Sequence, residues 1–206
     1  MISPVLSTYD WPTNGHLISD VAKLGYLDGA VLDLSYGHGN FWNEWSPERL
    51  VANDLDSNKG EHSWDVRHLV PCHWESAFQA TVWDGPYRLS GARDLGSFDE
   101  RYGTGRPATI KETMSLLRAG LRFGLVTTET GGYVLVKCQD QVSSGKKVWQ
   151  TRMLANYGEA NGSRLVDQFH FVNNSRPQPH GRRQVHSRSN TSTLLVFKKL
   201  SGEPKT

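Results

Sequence analysis

Short apolar runs alternate with longer amphipathic segments along this 206-residue chain. The apolar runs predict seven strands, at 30–34, 49–53, 62–66, 79–83, 133–136, 165–172 and 193–197. Apolar residues spaced three or four positions apart predict a helix over 109–127, and a second helix is predicted over 148–157. Alternation of this kind favours an α/β fold with a mostly parallel sheet and helices on both faces.

Composition and length narrow the class of protein. The chain is 37% hydrophobic and 21% charged, as in an ordinary globular protein, and its length suits a single domain over 1–206. No apolar run approaches the roughly 20 residues that cross a bilayer, and the N-terminus lacks the pattern of a secretion signal. Cys72 and Cys138 lie far apart, and the eight histidines form no zinc-type cluster. We therefore expect a cytoplasmic protein with reduced thiols, no metal and no membrane partner.

Positive charge is concentrated in one segment, although the net charge is only +2. Residues 173–192 contain no acidic residue and four arginines, which are Arg176, Arg182, Arg183 and Arg188. Such a segment can follow a phosphate backbone, which makes it a candidate nucleic-acid-binding loop. A solvated surface loop is the alternative interpretation.

A Gly-rich turn follows the first predicted strand, in the run from Asp33 through Ser35 to Gly39. In an open α/β sheet, ligands bind beyond the carboxyl ends of the strands, near the point where the strand order reverses. Gly37 and Gly39 would let the backbone approach a ligand closely. This run is therefore a candidate cofactor loop of the nucleotide-binding type.

Further acids end the second and third predicted strands. Asp54 or Asp56 could accept a hydrogen bond from a ribose diol, and Asp65 could accept one from an adenine amino group. Taken singly, each acid could equally be a helix cap or a solvated turn residue. Their order along the chain favours one shared crevice.

The turn Asp84-Gly85-Pro86-Tyr87 ends the predicted strand at 79–83. A carboxylate and a backbone carbonyl at this position can accept hydrogen bonds from an NH2 group, and an exposed aromatic ring can stack on the base that carries it. The four residues therefore predict a site for a planar amine.

Other enzyme classes fit the chain less well. A dinucleotide-binding dehydrogenase would need a third glycine after Gly37 and Gly39, and none follows at the required spacing. A phosphate-binding Gly-Lys-Ser/Thr loop is absent from the sequence, as is the serine-hydrolase elbow.

These motifs resemble those of the S-adenosylmethionine-dependent amino-methyltransferases of DNA, which modify adenine N6 or cytosine N4. Asp33-Leu-Ser-Tyr-Gly37-His-Gly39 is similar to their cofactor loop, Asp-x-Phe-x-Gly-x-Gly, and Asp84-Gly85-Pro86-Tyr87 is similar to their catalytic Asp-Pro-Pro-Tyr. The segment 11–16 resembles their N-terminal cofactor motif. Segments 131–141 and 183–190 resemble parts of small methyltransferases carried by phages and actinobacteria.

The resemblance implies a Rossmann-like class I methyltransferase domain with a seven-stranded sheet and an antiparallel final strand. It implies S-adenosylmethionine as the cofactor and DNA as the partner, with adenine N6 favoured over cytosine N4. Asp84 and the carbonyl of Gly85 would accept the amino hydrogens, and Tyr87 would stack on the base once it has left the duplex. The loop 88–107 would close over the substrate, and the loop 173–192 would hold the DNA backbone.

The chain departs from the family pattern in two respects. Gly85 replaces the first proline, so the carbonyl acceptor remains while the rigidity of a fixed φ is lost. We expect activity to be retained at a reduced level and to rise on Gly85→Pro. The chain also lacks room for a separate target-recognition domain. Two alternatives stay open, namely a non-catalytic cofactor- or nucleic-acid-binding module, and a methyltransferase for RNA, a nucleotide or a protein amide.

Overall fold

The structure is a computed structural model that describes residues 11–88, 109–172, 185–187 and 189–202. The helices are α1 (Asn14–Lys23), α2 (Ile110–Thr127) and α3 (Gln150–Ala160), together with a 3-10 turn at Cys72–Trp74. The strands are β1 (Ala30–Asp33), β2 (Arg49–Ala52), β3 (Phe78–Trp83), β4 (Thr128–Cys138), β5 (Gln141–Ser143), β6 (Lys146–Val148), β7 (Ser163–Val172) and β8 (Thr191–Lys199).

Within the described residues, six strands form one sheet in the order β2-β1-β3-β4-β8-β7. Strand β1 is parallel to both β2 and β3, and β3 is parallel to β4. Strand β8 is antiparallel to its two neighbours, β4 and β7. The predicted mostly parallel sheet with an antiparallel final strand is therefore confirmed. The strand order reverses between β1 and β3, which is where an α/β sheet offers a ligand crevice.

Helices cover both faces of the sheet, as predicted, because successive strand residues point to opposite faces. In β1, Val31 packs in the cluster that contains α1, while Leu32 packs in the cluster that contains α2 and α3. Strand β4 alternates in the same way, with Leu135 facing α1 and its neighbours Val134 and Val136 facing the other two helices. The core thus consists of two apolar layers, one on each side of the sheet.

Helix α2 forms over the predicted range because its sequence carries both an apolar face and a start signal. The Thr109 hydroxyl accepts a hydrogen bond from the Glu112 amide at 3.2 Å, and the Glu112 carboxylate accepts one from the Thr109 amide at 3.1 Å. This reciprocal capping box satisfies amides that the first turn leaves unpaired. At its other end the helix passes directly into β4, where the hydroxyls of Thr127 and Thr128 are hydrogen-bonded to that of Thr81.

The predicted strand at 62–66 is wrong. Only an isolated parallel bridge joins Asn53 to His62. The side-chain amide of Asn53, which is fully buried, instead bonds the backbone of Trp64. Its oxygen accepts a hydrogen bond from the Trp64 backbone N–H at 2.8 Å, and its NH2 group donates one to the Trp64 carbonyl at 3.0 Å. One side chain thus takes backbone groups that a strand would have paired, and among the described residues the main sheet therefore has six strands instead of the predicted seven.

Two other features, a hairpin and the start of a helix, also differ from the prediction. The hairpin β5–β6 was not predicted, although its turn residues Ser144 and Gly145, both at positive φ, form a Ser-Gly dipeptide that signals a turn. Because Val148 belongs to β6, α3 starts two residues later than predicted. No helix in the described part of the chain is long and apolar enough to cross a membrane.

We expect Thr109→Ala to lower the free energy of unfolding by about 1 kcal/mol, because it removes the side chain that caps α2. Urea denaturation of the two proteins measures this change. Thr109→Ser keeps the hydroxyl and is expected to unfold close to the unchanged protein. An equal loss in both variants would show that the cap contributes nothing.

Candidate active site

The carboxyl ends of β1 and β3 meet at the point where the strand order reverses. Asp33 is the last residue of β1, and Asp84 directly follows β3. The Leu34 amide donates to the Val82 carbonyl at 2.9 Å, and the Asp84 amide donates to the Ser35 hydroxyl at 2.8 Å. The structure therefore brings together the Gly-rich loop and the Asp84 turn, which the sequence predicts to share a crevice.

Asp33 is buried and holds the Gly-rich loop in place. Its carboxylate accepts hydrogen bonds from the Ser35 amide at 2.9 Å and from the Trp42 indole at 2.7 Å. The pKa of Asp33 is raised to about 7, chiefly by burial and also by the nearby Asp84 and Asp54 carboxylates, against the opposing effect of the two hydrogen bonds. Both oxygens of this side chain are thus used to shape the loop.

The glycines of the loop are needed for its backbone path. Gly37 and Gly39 have φ angles of 59° and 69°, a region that side chains disfavour. A Cβ at Gly39 would also lie 2.7 Å from the Tyr36 hydroxyl oxygen. The Gly37 amide donates to Asp54 at 2.8 Å, so the loop is tied to the end of β2 as well as to β1.

Asp54 lies where the sequence predicts a ribose-binding acid, but part of its role is structural. One oxygen accepts from Gly37, and the other accepts from the Asp56 amide at 2.9 Å. A carboxylate offers about four lone-pair positions, so this half-buried side chain keeps the capacity to accept a hydroxyl. Asp56 itself bonds the amide and the side chain of Asn58.

Asp65 is paired within its own turn. Its carboxylate accepts from the Arg67 guanidinium at 2.9 Å, and this hydrogen bond lowers the pKa of Asp65. Arg67 thus engages both oxygens of Asp65. The predicted contact of Asp65 with an adenine amino group stays a prediction.

Asp84 carries a buried oxygen atom without a partner among the described residues. Its Oδ1 atom is buried and has no hydrogen-bond partner among the described residues, while its Oδ2 atom lies 3.7 Å from Lys137 Nζ. Burial raises the pKa of Asp84, and the charges of Lys137 and Arg88 oppose the rise. A buried acceptor without a partner is costly in a folded protein, unless a ligand supplies a donor.

Lys137 is a site residue that the sequence reasoning missed. Its side chain is only 3% exposed, and its Nζ donates to the Asn14 side-chain oxygen at 2.7 Å. The rings of Phe41 and Phe171 lie 5.1 and 5.6 Å from the ammonium. A lysine at the end of an apolar strand is itself a signal, and the strand-end rule that selected Asp33 and Asp84 would have found it.

Tyr87 is half-buried and packs against the core beneath α2 and α3, so the prediction of an exposed ring is only partly met. Burial raises the pKa of its hydroxyl. The Tyr87 carbonyl accepts hydrogen bonds from Gln141 at 2.6 Å and from the fully buried Gln150 at 2.8 Å. Two side-chain amides from outside β3 therefore fix the end of the turn, beyond the half-buried Pro86.

Gly85 has a steric reason to be glycine. A Cβ at this position would lie 2.1 Å from Cζ2 of Trp83, and a Cβ at Gly120 of α2 would lie 2.3 Å from Nε1 of the same indole. The Trp83 ring thus fills the space between two glycines. A side chain at position 85 would have to displace this indole, and the expected rise of activity on Gly85→Pro stays a prediction.

The predicted nucleic-acid contacts Arg176, Arg182, Arg183 and Arg188 lie outside the described residues, as does 89–107 of the predicted substrate loop. Ser189, a described residue of the basic segment, is hydrogen-bonded by two side chains from outside the segment. Lys147 of the β5–β6 hairpin donates to the Ser189 hydroxyl at 2.8 Å, and Gln139 donates to the Ser189 carbonyl at 3.0 Å.

Comparison with solved structures identifies the fold. The N-methyltransferase NodS from Bradyrhizobium japonicum WM9 is 11% identical, and the match covers 91% of this chain and 94% of NodS with a TM-score of 0.51. A Bacillus halodurans C-125 protein, provisionally described as a methyltransferase, is 13% identical over 89% of this chain and 99% of its own, with a TM-score of 0.52. This chain has a Rossmann-like methyltransferase fold.

The fold alone leaves the chemistry of the chain open. The [4+2]-cyclase SpnF is also similar, with 14% identity over 91% of this chain and 82% of its own and a TM-score of 0.53. No family model and no curated protein matches the chain. The function therefore depends on the residues of the crevice and not on the fold alone.

We expect Gly85→Pro to destabilise the protein by about 1–3 kcal/mol, because the added ring atoms overlap the Trp83 indole. Combining it with Trp83→Leu is expected to cost about 0.5–3 kcal/mol less than the sum of the two single changes. Urea denaturation of the four proteins gives this coupling energy. Gly85→Ala is the matched control, since it adds the Cβ without fixing φ. Additive single changes would show that the indole does not exclude a side chain at position 85.

The raised pKa of Asp33 predicts a specific pH dependence of stability. The folded protein holds the Asp33 proton more tightly than the unfolded chain does, so this stabilisation is full below pH 3.8 and is lost as the pH rises through about 7. The difference in unfolding free energy between the protein and Asp33→Asn is therefore expected to decline over that range. Asp65→Asn serves as the control of opposite sign, because the lowered pKa of Asp65 gives a contribution that is lost on acidification. Parallel pH curves for the protein and Asp33→Asn would contradict the assignment.

Proposed function

We propose that the protein is an S-adenosylmethionine-dependent methyltransferase that acts on an exocyclic amino group of a DNA base, with adenine N6 favoured over cytosine N4. The observation that carries the proposal is the buried, unpartnered Oδ1 of Asp84 at the switch point of a methyltransferase fold. An amino hydrogen of the substrate would supply the partner that this oxygen lacks among the described residues.

The residues of the Gly-rich loop fit the cofactor. The loop from Asp33 to Gly39 lies beside Asp84, where Gly37 and Gly39 leave its backbone without side chains. Asp54 retains acceptor positions for a ribose hydroxyl. When bound, S-adenosylmethionine supplies a methyl group that its sulfonium already activates, so that the protein mainly has to position the amine.

The Asp84 turn would perform that positioning. Asp84 Oδ1 would accept one amino hydrogen and the Gly85 carbonyl the other, which directs the nitrogen lone pair toward the methyl group. The two hydrogen bonds from Gln141 and Gln150 to the Tyr87 carbonyl hold the turn still while this occurs. A fixed turn of this kind lowers the entropic cost of aligning the reacting atoms.

DNA as the partner is proposed from the basic segment 173–192 together with its contacts. Four arginines without an acidic neighbour suit a phosphate backbone, and Lys147 of β6 and Gln139 donate to Ser189 within the segment. Gln141, two residues after Gln139, donates to the Tyr87 carbonyl of the Asp84 turn. The loop 88–107 directly follows that turn and is proposed to close over the substrate.

We expect Asp84→Asn to lower methyl transfer about 100-fold or more while leaving the affinity for S-adenosylmethionine unchanged. The variant exchanges a charged acceptor for a neutral amide of the same shape. Transfer of a tritiated methyl group to DNA, RNA, nucleotides and peptide amides measures the rate, and isothermal titration measures cofactor affinity. Gly39→Val is the complementary variant, since it blocks the loop and is expected to abolish cofactor binding itself.

The substrate panel separates the alternatives. Methylation of RNA, a nucleotide or a protein amide in preference to DNA would overturn the DNA assignment but keep the methyltransferase. Cofactor binding without transfer to any substrate would indicate a non-catalytic binding module. Absence of cofactor binding in the unchanged protein would overturn the proposal as a whole.

A further inference from the structure

Lys137 is the one described lysine that lies almost fully buried beside the crevice, and the structure gives its ammonium two oriented partners. It donates to Asn14 Oδ1 at 2.7 Å and faces Asp84 Oδ2 at 3.7 Å. The register of the sheet sets this arrangement, because Trp83 of β3 pairs with Val136 of β4 and so places the next residues of the two strands side by side. The ion pair therefore belongs to the sheet framework and not to a surface loop.

Burying the charge of a lysine among aromatic rings is unfavourable unless a nearby group compensates it. The ammonium lies over the rings of both Phe41 and Phe171, and the buried side chain thus keeps a favourable contact with aromatic faces. Replacing a buried ion pair by apolar residues is often neutral or stabilising, so fold stability alone is a weak reason for the pair. The position of Lys137 beside Asp84 indicates a role in the site, which is a stronger reason for the pair.

The charges that surround Asp84 come from several elements. Lys137 of β4 and Arg88 beyond the turn favour its ionised form. Asp33 of β1 faces it with like charge, and Tyr87 lies in its field. Burial disfavours the ionised form. Lys137 is thus the cation that the strand framework supplies to a carboxylate whose ionised form burial disfavours.

We propose that Lys137 is a positioning residue for the reaction: it keeps the Asp84 carboxylate charged and, by engaging Oδ2, leaves Oδ1 directed at the amine. This inference rests on the proposed function. Asn14 has the supporting role of fixing the ammonium from the first turn of α1, which couples the N-terminal segment 11–16 to the Asp84 turn. A protonated Asp84 would lose acceptor capacity at the atom that the amine needs.

The first test needs no cofactor and no substrate. Lys137→Met leaves a buried carboxylate without its cation, so its urea midpoint is expected to fall more at pH 8 than at pH 5, where Asp84 can take up a proton. Adding Asp84→Asn removes the uncompensated charge and is expected to restore most of the lost midpoint. If the urea midpoint of the double variant falls by the sum of the two single falls at both pH values, Lys137 does not compensate the charge of Asp84, and the proposal is overturned.

The second test measures methyl transfer against pH. In Lys137→Met the acid limb of the rate profile is expected to move up by about 1–3 pH units, since an opposite charge at this range shifts a carboxyl pKa by that amount. Asn14→Leu is expected to move the limb in the same direction by less. A uniform loss of rate at every pH, with an unmoved limb, would assign Lys137 a merely structural role and overturn the proposal.

Lys199→Met is the matched control. Lys199 is a partly buried lysine of β8 whose Nζ donates to the Thr128 carbonyl at 2.7 Å, at the opposite end of the sheet from Asp84. Its removal is expected to lower the urea midpoint without moving the acid limb. If the unchanged protein transfers no methyl group to any substrate, the proposed function fails, while the urea experiment still decides whether Lys137 compensates Asp84.

Discussion

The parallel pairing of β1 with β3 is the constraint on which the crevice depends. It places the ends of the two strands side by side, and the hydrogen bond from the Asp84 amide to the Ser35 hydroxyl then joins the loops that follow them. Without this junction the Gly-rich loop and the Asp84 turn would be two unrelated surface features. Asp54 adds a third strand end through its bond to Gly37, so one network of short polar contacts defines the whole edge.

A single tryptophan explains the departure of the turn from the proline-rich pattern that it resembles. The Trp83 indole fills the space where a side chain at position 85 would lie, and it also occupies the space above Gly120 of α2. Rigidity that a proline would give through its fixed φ is replaced by packing of the ring and by the two amides that hold the Tyr87 carbonyl. The turn is therefore held from outside, by tertiary contacts, and not by its own backbone chemistry.

Buried charge is the other property that distinguishes this edge of the sheet. Burial raises the pKa of both Asp33 and Asp84, yet the two carboxylates have different surroundings. Both oxygens of Asp33 accept hydrogen bonds, one from the Ser35 amide and one from the Trp42 indole, so this side chain has a structural role in the loop. Asp84 keeps an oxygen without a partner among the described residues and has Lys137 as its counter-charge. Environment thus separates two acids that look equivalent along the chain.

The sequence by itself determined the fold class, the helix over 109–127 and the acids at the strand ends, because these depend on local signals such as apolar spacing, the Thr109 cap and glycines in turns. It misplaced a strand at 62–66, since the buried Asn53 side chain takes backbone bonds that periodicity cannot reveal. Only the tertiary structure decided that Asp54 and Asp33 shape the loop, that Trp83 requires Gly85, and that Lys137 faces Asp84. The physical reason is that strand register and core packing join residues far apart in the chain, and such contacts leave no local pattern in the sequence.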